Sequence, residues 1–219
     1  MTKNSGGDLA MLFFVISFRR GNASRRGSME YLSTVEQRQI HEILGDFFRY
    51  RLSLRGTEWT SPVEPEVSPD NAEICATLRA LSDHFHAGCQ EALAELAERC
   101  LLVDNLTLRT VEDGFHTSMN ELMSERGVSW ERIVVAFTYA VETAARLPTQ
   151  DPINTVYNWT TAFTARTLMP WIRENHGWAS VLGDVSSEAP KSNFYRNIFG
   201  VAGIALGAIV VGAILTNKS

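Results

Sequence analysis

Residues Glu121 to Ala145 read ELMSERGVSWERIVVAFTYAVETAA. From Ile133 to Val141 the one polar residue is the weakly polar Thr138. A surface helix would show a polar face here. A segment that is apolar all round belongs in an interior. A β-branched run of this length also suits a buried strand, and periodicity does not separate the two. The flanks do. Ser129 is a good N-cap, Glu131 lies in the first turn where the helix dipole favours an anion, and Glu142 to Arg146 continues in helix formers. The stretch predicts one central buried helix over roughly 130–146, with Trp130 and Arg132 at its entrance.

The neighbours of this segment are amphipathic. Ser33 and Glu36 have the spacing of a capping box. Ile40, Ile43, Leu44, Phe47, Phe48 and Leu52 then recur at helical spacing, so a helix is predicted over 33–55, stopped by Gly56. Residues 57–69 carry three prolines and three glutamates and read as a loop. Ser68 as cap and Pro69 as first residue open the next helix. Its Ile74, Leu78, Leu81 and Phe85 are spaced 4, 3 and 4 apart, which puts them on one face. Gly88 is expected to loosen it, and residues 90–102 form a further helical stretch ended by Asp104 and Asn105. Thr110 with Asp113 starts a helix with Phe115, Met119, Leu122 and Met123 as apolar positions. Arg126 and Gly127 turn the chain into the central segment. Beyond Pro148, Asp151 caps and Pro152 opens a helix whose Ile153, Val156, Tyr157, Trp159, Thr160 and Phe163 face inward. Pro170 interrupts and restarts it. Nothing reads as a strand or a repeat, and the domain, 29–182, is predicted all-helical: a central hydrophobic helix surrounded by amphipathic ones.

The two ends differ in kind. Residues 1–28 hold Lys3, Arg19, Arg20, Arg25 and Arg26 against Asp8, a net +4 that leaves −9 for the rest of a chain at −5. They read as a disordered basic extension, a mitochondrial presequence being the alternative and Met29 an alternative start. After a polar linker, 183–197, Ile198 to Leu215 is an uncharged run of 18 residues. As a helix it would span about 27 Å, close to the hydrocarbon thickness of a bilayer. Lys191, Arg196 and Lys218 flank it. It reads as a C-terminal transmembrane anchor, 198–215, that keeps the bulk of the protein on the cytosolic side. Gly203 and Gly207 form a GxxxG pair that lets membrane helices approach.

Several function classes fall away. The acidic balance gives no nucleic-acid footprint. Cys75, Cys89 and Cys100 are odd in number and lack metal spacing, which suits reduced thiols facing the cytosol. His41, His84, His86, His116 and His176 form no ligand pattern. No phosphate loop or nucleophile elbow is present. The sequence therefore implies no catalytic residue, no metal, no cofactor and no enzyme.

Four stretches resemble the homology regions of the Bcl-2 family of apoptosis regulators. GVSWERIV (Gly127 to Val134) is similar to the first, and PWIRENHGW (Pro170 to Trp178) to the second. LRALSDHF (Leu78 to Phe85) resembles the third, and ILGDFFRYRLSLRGTEW (Ile43 to Trp59) the fourth. They stand in the family's order, followed by the apolar run, so the resemblance covers roughly residues 31–216. It implies a hydrophobic groove that receives an amphipathic helix from a partner, whose apolar anchors drop into pockets. The site it implies comprises Leu122, Val128, Ser129, Trp130, Arg132, Val134, Val135 and Tyr139. Val134, Val135 and Tyr139 would form the floor. Arg132 would meet the partner's aspartate, a task its planar fork suits. Trp130 reads as packing at the base, like Trp171 and Trp178, and Gly177 as a turn. Two departures bear on selectivity. The family's usual Asn-Trp-Gly-Arg is here Ser129-Trp130-Glu131-Arg132, which adds bulk and negative charge beside the groove. Ser82 stands where glycine is commonest and is small enough for close helix packing.

The chain's own third region (Ile74, Leu78, Leu81, Asp83 and Phe85) has two readings. It packs inward as a groove wall, or it swings out to dock into another molecule, with Asp83 then meeting an arginine there. The resemblance implies a pro-survival regulator, favoured by the well-formed fourth region. Its partners would be pro-apoptotic relatives and their ligand helices, with lipid held through the anchor. The site of action would be the mitochondrial outer membrane or the endoplasmic reticulum. The alternative is a pro-apoptotic member that oligomerises into a pore, and a third reading is a membrane-tethered adaptor with no death role.

Overall fold

The structure, a computed structural model, describes residues 32–63, 66–102, 107–124 and 127–184, without the side chains of 86–89 and 184. The chain divides into two units, Met1–Tyr31 and Leu32–Ser219, and the fold is that of the second. The basic extension 1–28, Met29, Asp104, Asn105, Arg126, the linker beyond Asp184 and the run Ile198 to Leu215 with its GxxxG pair lie outside the described residues. Within those residues every regular element is helical, and no helix is long and apolar enough to cross a membrane.

Seven α-helices are described: α1 (Thr34–Ser53), α2 (Pro69–Leu101), α3 (Leu108–Ser124), α4 (Trp130–Ala144), α5 (Pro152–Phe163), α6 (Met169–Glu174) and α7 (Val181–Asp184). Helix α4 is the axis. Every residue in it except Glu131 is buried. It packs most extensively on α2 and next on α5, with α1 and α3 completing the sheath. The Ser129 hydroxyl accepts from the Arg132 N–H at 3.4 Å, the cap that the sequence predicts. The helix stops two residues early. The Arg146 N–H tightens onto the Thr143 carbonyl at 3.1 Å, because Pro148 disfavours helix in the residue before it.

Helix α1 begins with the predicted capping box: Glu36 N–H donates to the Ser33 hydroxyl at 3.2 Å and Ser33 N–H to the Glu36 carboxylate at 2.7 Å. Its apolar stripe faces α4, where Phe47 meets Phe137 edge-on at 5.7 Å. Trp59 pins the following loop: its ring lies 5.1 Å from Tyr157, and its indole N–H donates to Asn154.

Helix α2 differs from the sequence reading twice. It runs unbroken through Gly88 as 33 residues. The inward positions Ile74, Leu78, Leu81, Phe85, Leu93, Leu96 and Cys100 keep one helical phase, so burial of a continuous stripe outweighs the roughly 1 kcal/mol that a mid-helix glycine costs. Ser68 makes no side-chain cap to α2. Its N–H and hydroxyl donate instead to Glu42 at 3.0 and 2.6 Å, and Asn71 adds a third bond at 2.8 Å. A carboxylate from α1 thus sits at the positive end of α2, where the helix dipole favours it. At α3 the capping residue is Thr107, three positions before the predicted start at Thr110. The two threonines exchange bonds, with Thr110 N–H on the Thr107 hydroxyl at 3.2 Å.

Pro170 does not break the chain of helices. Residues Thr164–Leu168 form a π-helical turn between α5 and α6. The wider turn accommodates a ring that would clash with the carbonyl four residues back. Gly177 adopts φ 78°, a left-handed value that glycine reaches without strain. Helix α7 carries regular structure into the stretch read as linker. Cys75 and Cys100 are free and buried, both on α2.

Candidate ligand-helix site

Arg132 is the residue on which the implied site depends, and it sits one turn into α4. It is only 6% exposed. Its Nη1 donates to the Leu122 carbonyl at 3.0 Å and the Gly127 carbonyl at 3.5 Å. It therefore closes the C-terminal end of α3, where unpaired carbonyls attract a cation. Leu122 supplies the accepting carbonyl and is itself buried. Val128 and Ser129 are half-buried between the two helices.

The floor candidates lie deeper. Val134, Val135 and Tyr139 are each 1% exposed or less. The Tyr139 ring stacks on Phe115 of α3 at 5.6 Å, and burial pushes its phenol well above the usual range. Trp130 is buried in an aromatic group, 5.5 Å from Trp171 and 5.8 Å from Trp178, and its indole N–H donates to the Ser180 hydroxyl at 3.1 Å. The structure thus brings Leu122, Val128, Ser129 and Arg132 together at the α3–α4 corner. It sets Val134, Val135 and Tyr139 beneath the neighbouring helices and ties Trp130 to the second homology stretch.

The α2 face is turned inward. Ile74, Leu78, Leu81 and Phe85 are all buried. Ser82 is fully buried, and its hydroxyl has no partner among the described residues. Asp83 is the exposed member. It accepts from the Tyr50 hydroxyl at 2.5 Å and from Arg51 Nη1 at 3.4 Å, both on α1. The Asp83 carboxylate, burial and charge together raise the Tyr50 phenol above its ordinary range. Burial lowers the Arg51 guanidinium, against the pull of Asp83.

The sequence reading missed Arg51, Arg55 and Glu142. Glu142 is buried inside α4 and pairs with Arg55 and with Arg146, the latter at 2.6 Å. The Glu142–Arg146 spacing of four was a visible signal. The link to Arg55, which lies just beyond α1, leaves no local trace.

A family model described as apoptosis regulator proteins, Bcl-2 family, matches residues 78–178. Bcl-2-like protein 1 of Sus scrofa is 26% identical over 156 residues, covering 67% of this chain and 64% of that protein. The chain spans about half to two thirds of the length of the curated relatives it matches first. Two solved structures share the fold. One is Trichoplax adhaerens trBcl-2L2 bound to trBak BH3, with TM-score 0.58, 21% identity, and coverage of 67% of this chain and 97% of that one. The other is chicken BOK, with TM-score 0.56, 21% identity, and coverage of 69% and 98%.

Proposed function

Because the chain belongs to the Bcl-2 family of apoptosis regulators, we propose that it is a pro-survival member that captures the amphipathic helices of pro-apoptotic relatives. The observation that carries this reading is the fastening of α2. Its apolar face is buried and its Asp83 is held by Tyr50 and Arg51 of α1. A third region stitched down this way serves as a wall and is not free to be donated to another molecule.

The incoming helix enters at the α3–α4 corner. Its aspartate replaces the Leu122 and Gly127 carbonyls as the partner of Arg132, and its apolar anchors reach Val134, Val135 and Tyr139 as α2 and α3 part over them. A charge-assisted bond contributes about 1.5–3 kcal/mol. Arg132→Ala should therefore weaken binding by about that amount in a titration of ligand-helix peptides against the full chain. Unchanged affinity removes Arg132 from the mechanism, and silence across the peptide panel removes the groove. Likeness to chicken BOK favours a second reading, a pore-forming pro-apoptotic member. Expression in cells lacking endogenous relatives separates the two, because spontaneous release of mitochondrial contents rejects the pro-survival role.

The run Ile198 to Leu215 anchors the protein in the mitochondrial outer membrane or the endoplasmic reticulum, its uncharged length being the support. Deleting it should move the protein from the alkali-resistant membrane fraction to the supernatant.

A further inference from the structure

Arg51, Leu54, Arg55, Gln90 and Arg146 line a cavity of about 440 Å³. It lies at the end of α4 opposite Arg132, roughly 21 Å along the axis from the implied ligand-helix site. Among the described residues, three guanidiniums and one amide contribute its polar wall, and no carboxylate does.

The plain explanation is that these arginines cap helix ends and neutralise Glu142. Arg146 does donate to the Glu142 carbonyl at 3.1 Å. That role leaves most of their donors unused. Among the described residues, Arg51 bonds Asp83 through Nη1. Arg55 bonds Glu142 through Nη2 alone. Arg146 uses Nη1 for Glu142, and its Nε stands 3.7 Å from Glu98. Each guanidinium carries five N–H donors, so several on each face no acceptor among the described residues. Gln90 is exposed and makes no hydrogen bond among them. Burial first, then the neighbouring Arg146 and Arg51, push the Arg55 guanidinium below its ordinary range. The Arg55 cation thus feels two cationic neighbours as well as its pairing with Glu142.

We propose that this cavity binds a phosphate ester, carried by a soluble small molecule or by a lipid headgroup. A doubly charged tetrahedral anion offers several acceptor oxygens to planar forks arriving from different directions, the geometry in which arginine binds phosphate best. The cavity is roomy enough for the ester substituent as well. Leu54, 57% exposed, supplies an apolar edge for it.

Pyrophosphate titrated calorimetrically into the full chain should bind saturably. Gln90→Glu places an anion in the wall without removing any hydrogen bond. It should weaken pyrophosphate at least tenfold while leaving the thermal melt in place, and Gln90→Arg should tighten it. In a parallel arm, phosphatidylcholine vesicles with and without phosphatidic acid are floated with the protein. Extra flotation with phosphatidic acid, lost in Gln90→Glu and competed by pyrophosphate, assigns the site to a lipid headgroup. Pyrophosphate binding without that extra flotation assigns it to a soluble ester. Absence of both, or binding that Gln90→Glu leaves unchanged, overturns the proposal.

Discussion

Glu142 and Ser82 are two buried polar residues of opposite consequence. The Glu142 side chain is 1% exposed and is satisfied by Arg55 and Arg146. Removing one partner of a buried pair leaves the others uncompensated. Glu142→Gln should lower the free energy of unfolding in urea by about 2–4 kcal/mol. Ser82 is as deeply buried, yet its hydroxyl has no partner among the described residues. An unmet buried hydroxyl costs about 1–3 kcal/mol. Ser82→Ala should accordingly leave stability unchanged or raise it by about 1 kcal/mol in the same assay, whereas a larger residue would wedge α2 from its neighbours. Individual residues were unevenly legible in the sequence. Ser129, Ser33 with Glu36, and Asp151 act within three or four positions of themselves, so their caps could be read directly. Arg132 could be named but not placed. Nothing near position 132 announces that its fork closes off the end of α3.

At the scale of elements, the joints between helices are carboxylates. Glu36 of α1 reaches Arg173 of α6, and Glu42 of α1 holds the start of α2. The Arg173 hydrogen bond is the main cause that brings the Glu36 carboxyl from 4.5 to about 2. A carboxyl held low takes up its proton less readily in the folded chain than in the unfolded one. The stability it contributes is complete above about pH 4.5 and is lost as pH falls towards 2. Glu36→Gln should lose roughly 1–3 kcal/mol against the parent at pH 7, and the gap should narrow steadily below pH 4.5, measured by urea unfolding across pH. Glu42 is also lowered, its bonds to Ser68 and Asn71 prevailing over burial. It should behave in the same sense. These joints explain where the reading of elements failed. Ser68 looked like a cap because serine before proline usually is one, but a long-range acid took its donors. Gly88 was expected to loosen the helix because glycine weakens isolated helices, and tertiary burial of the α2 stripe overrode that preference.

At the largest scale, the described helices of the second unit sheathe a single rod. Helix α4 meets α1, α2, α3 and α5 in turn, with all but one of its residues buried. Its amides can exchange with solvent only when several neighbours separate together. Hydrogen exchange should be slowest from Ile133 to Val141, approaching the rate set by global unfolding. Faster exchange there than in α5 would mean that the sheath opens locally. This architecture was the most legible feature, since an unbroken apolar run has nowhere else to go. The openness of the implied groove was not legible. Local spacing fixes which side of a helix is greasy and says nothing of how closely the next helix lies upon it.

Cys75 lies on the inward side of α2, one residue from Ile74, and burial raises its thiol to about 12. A sulfur so protonated and so enclosed is nearly inert towards maleimides at neutral pH. It is thus a built-in reporter of α2. If an arriving peptide merely parts the wall, alkylation should quicken modestly and reverse on washout. If α2 is instead extruded to join a second molecule, Cys75 should label to completion, and the modified chain should be unable to refasten.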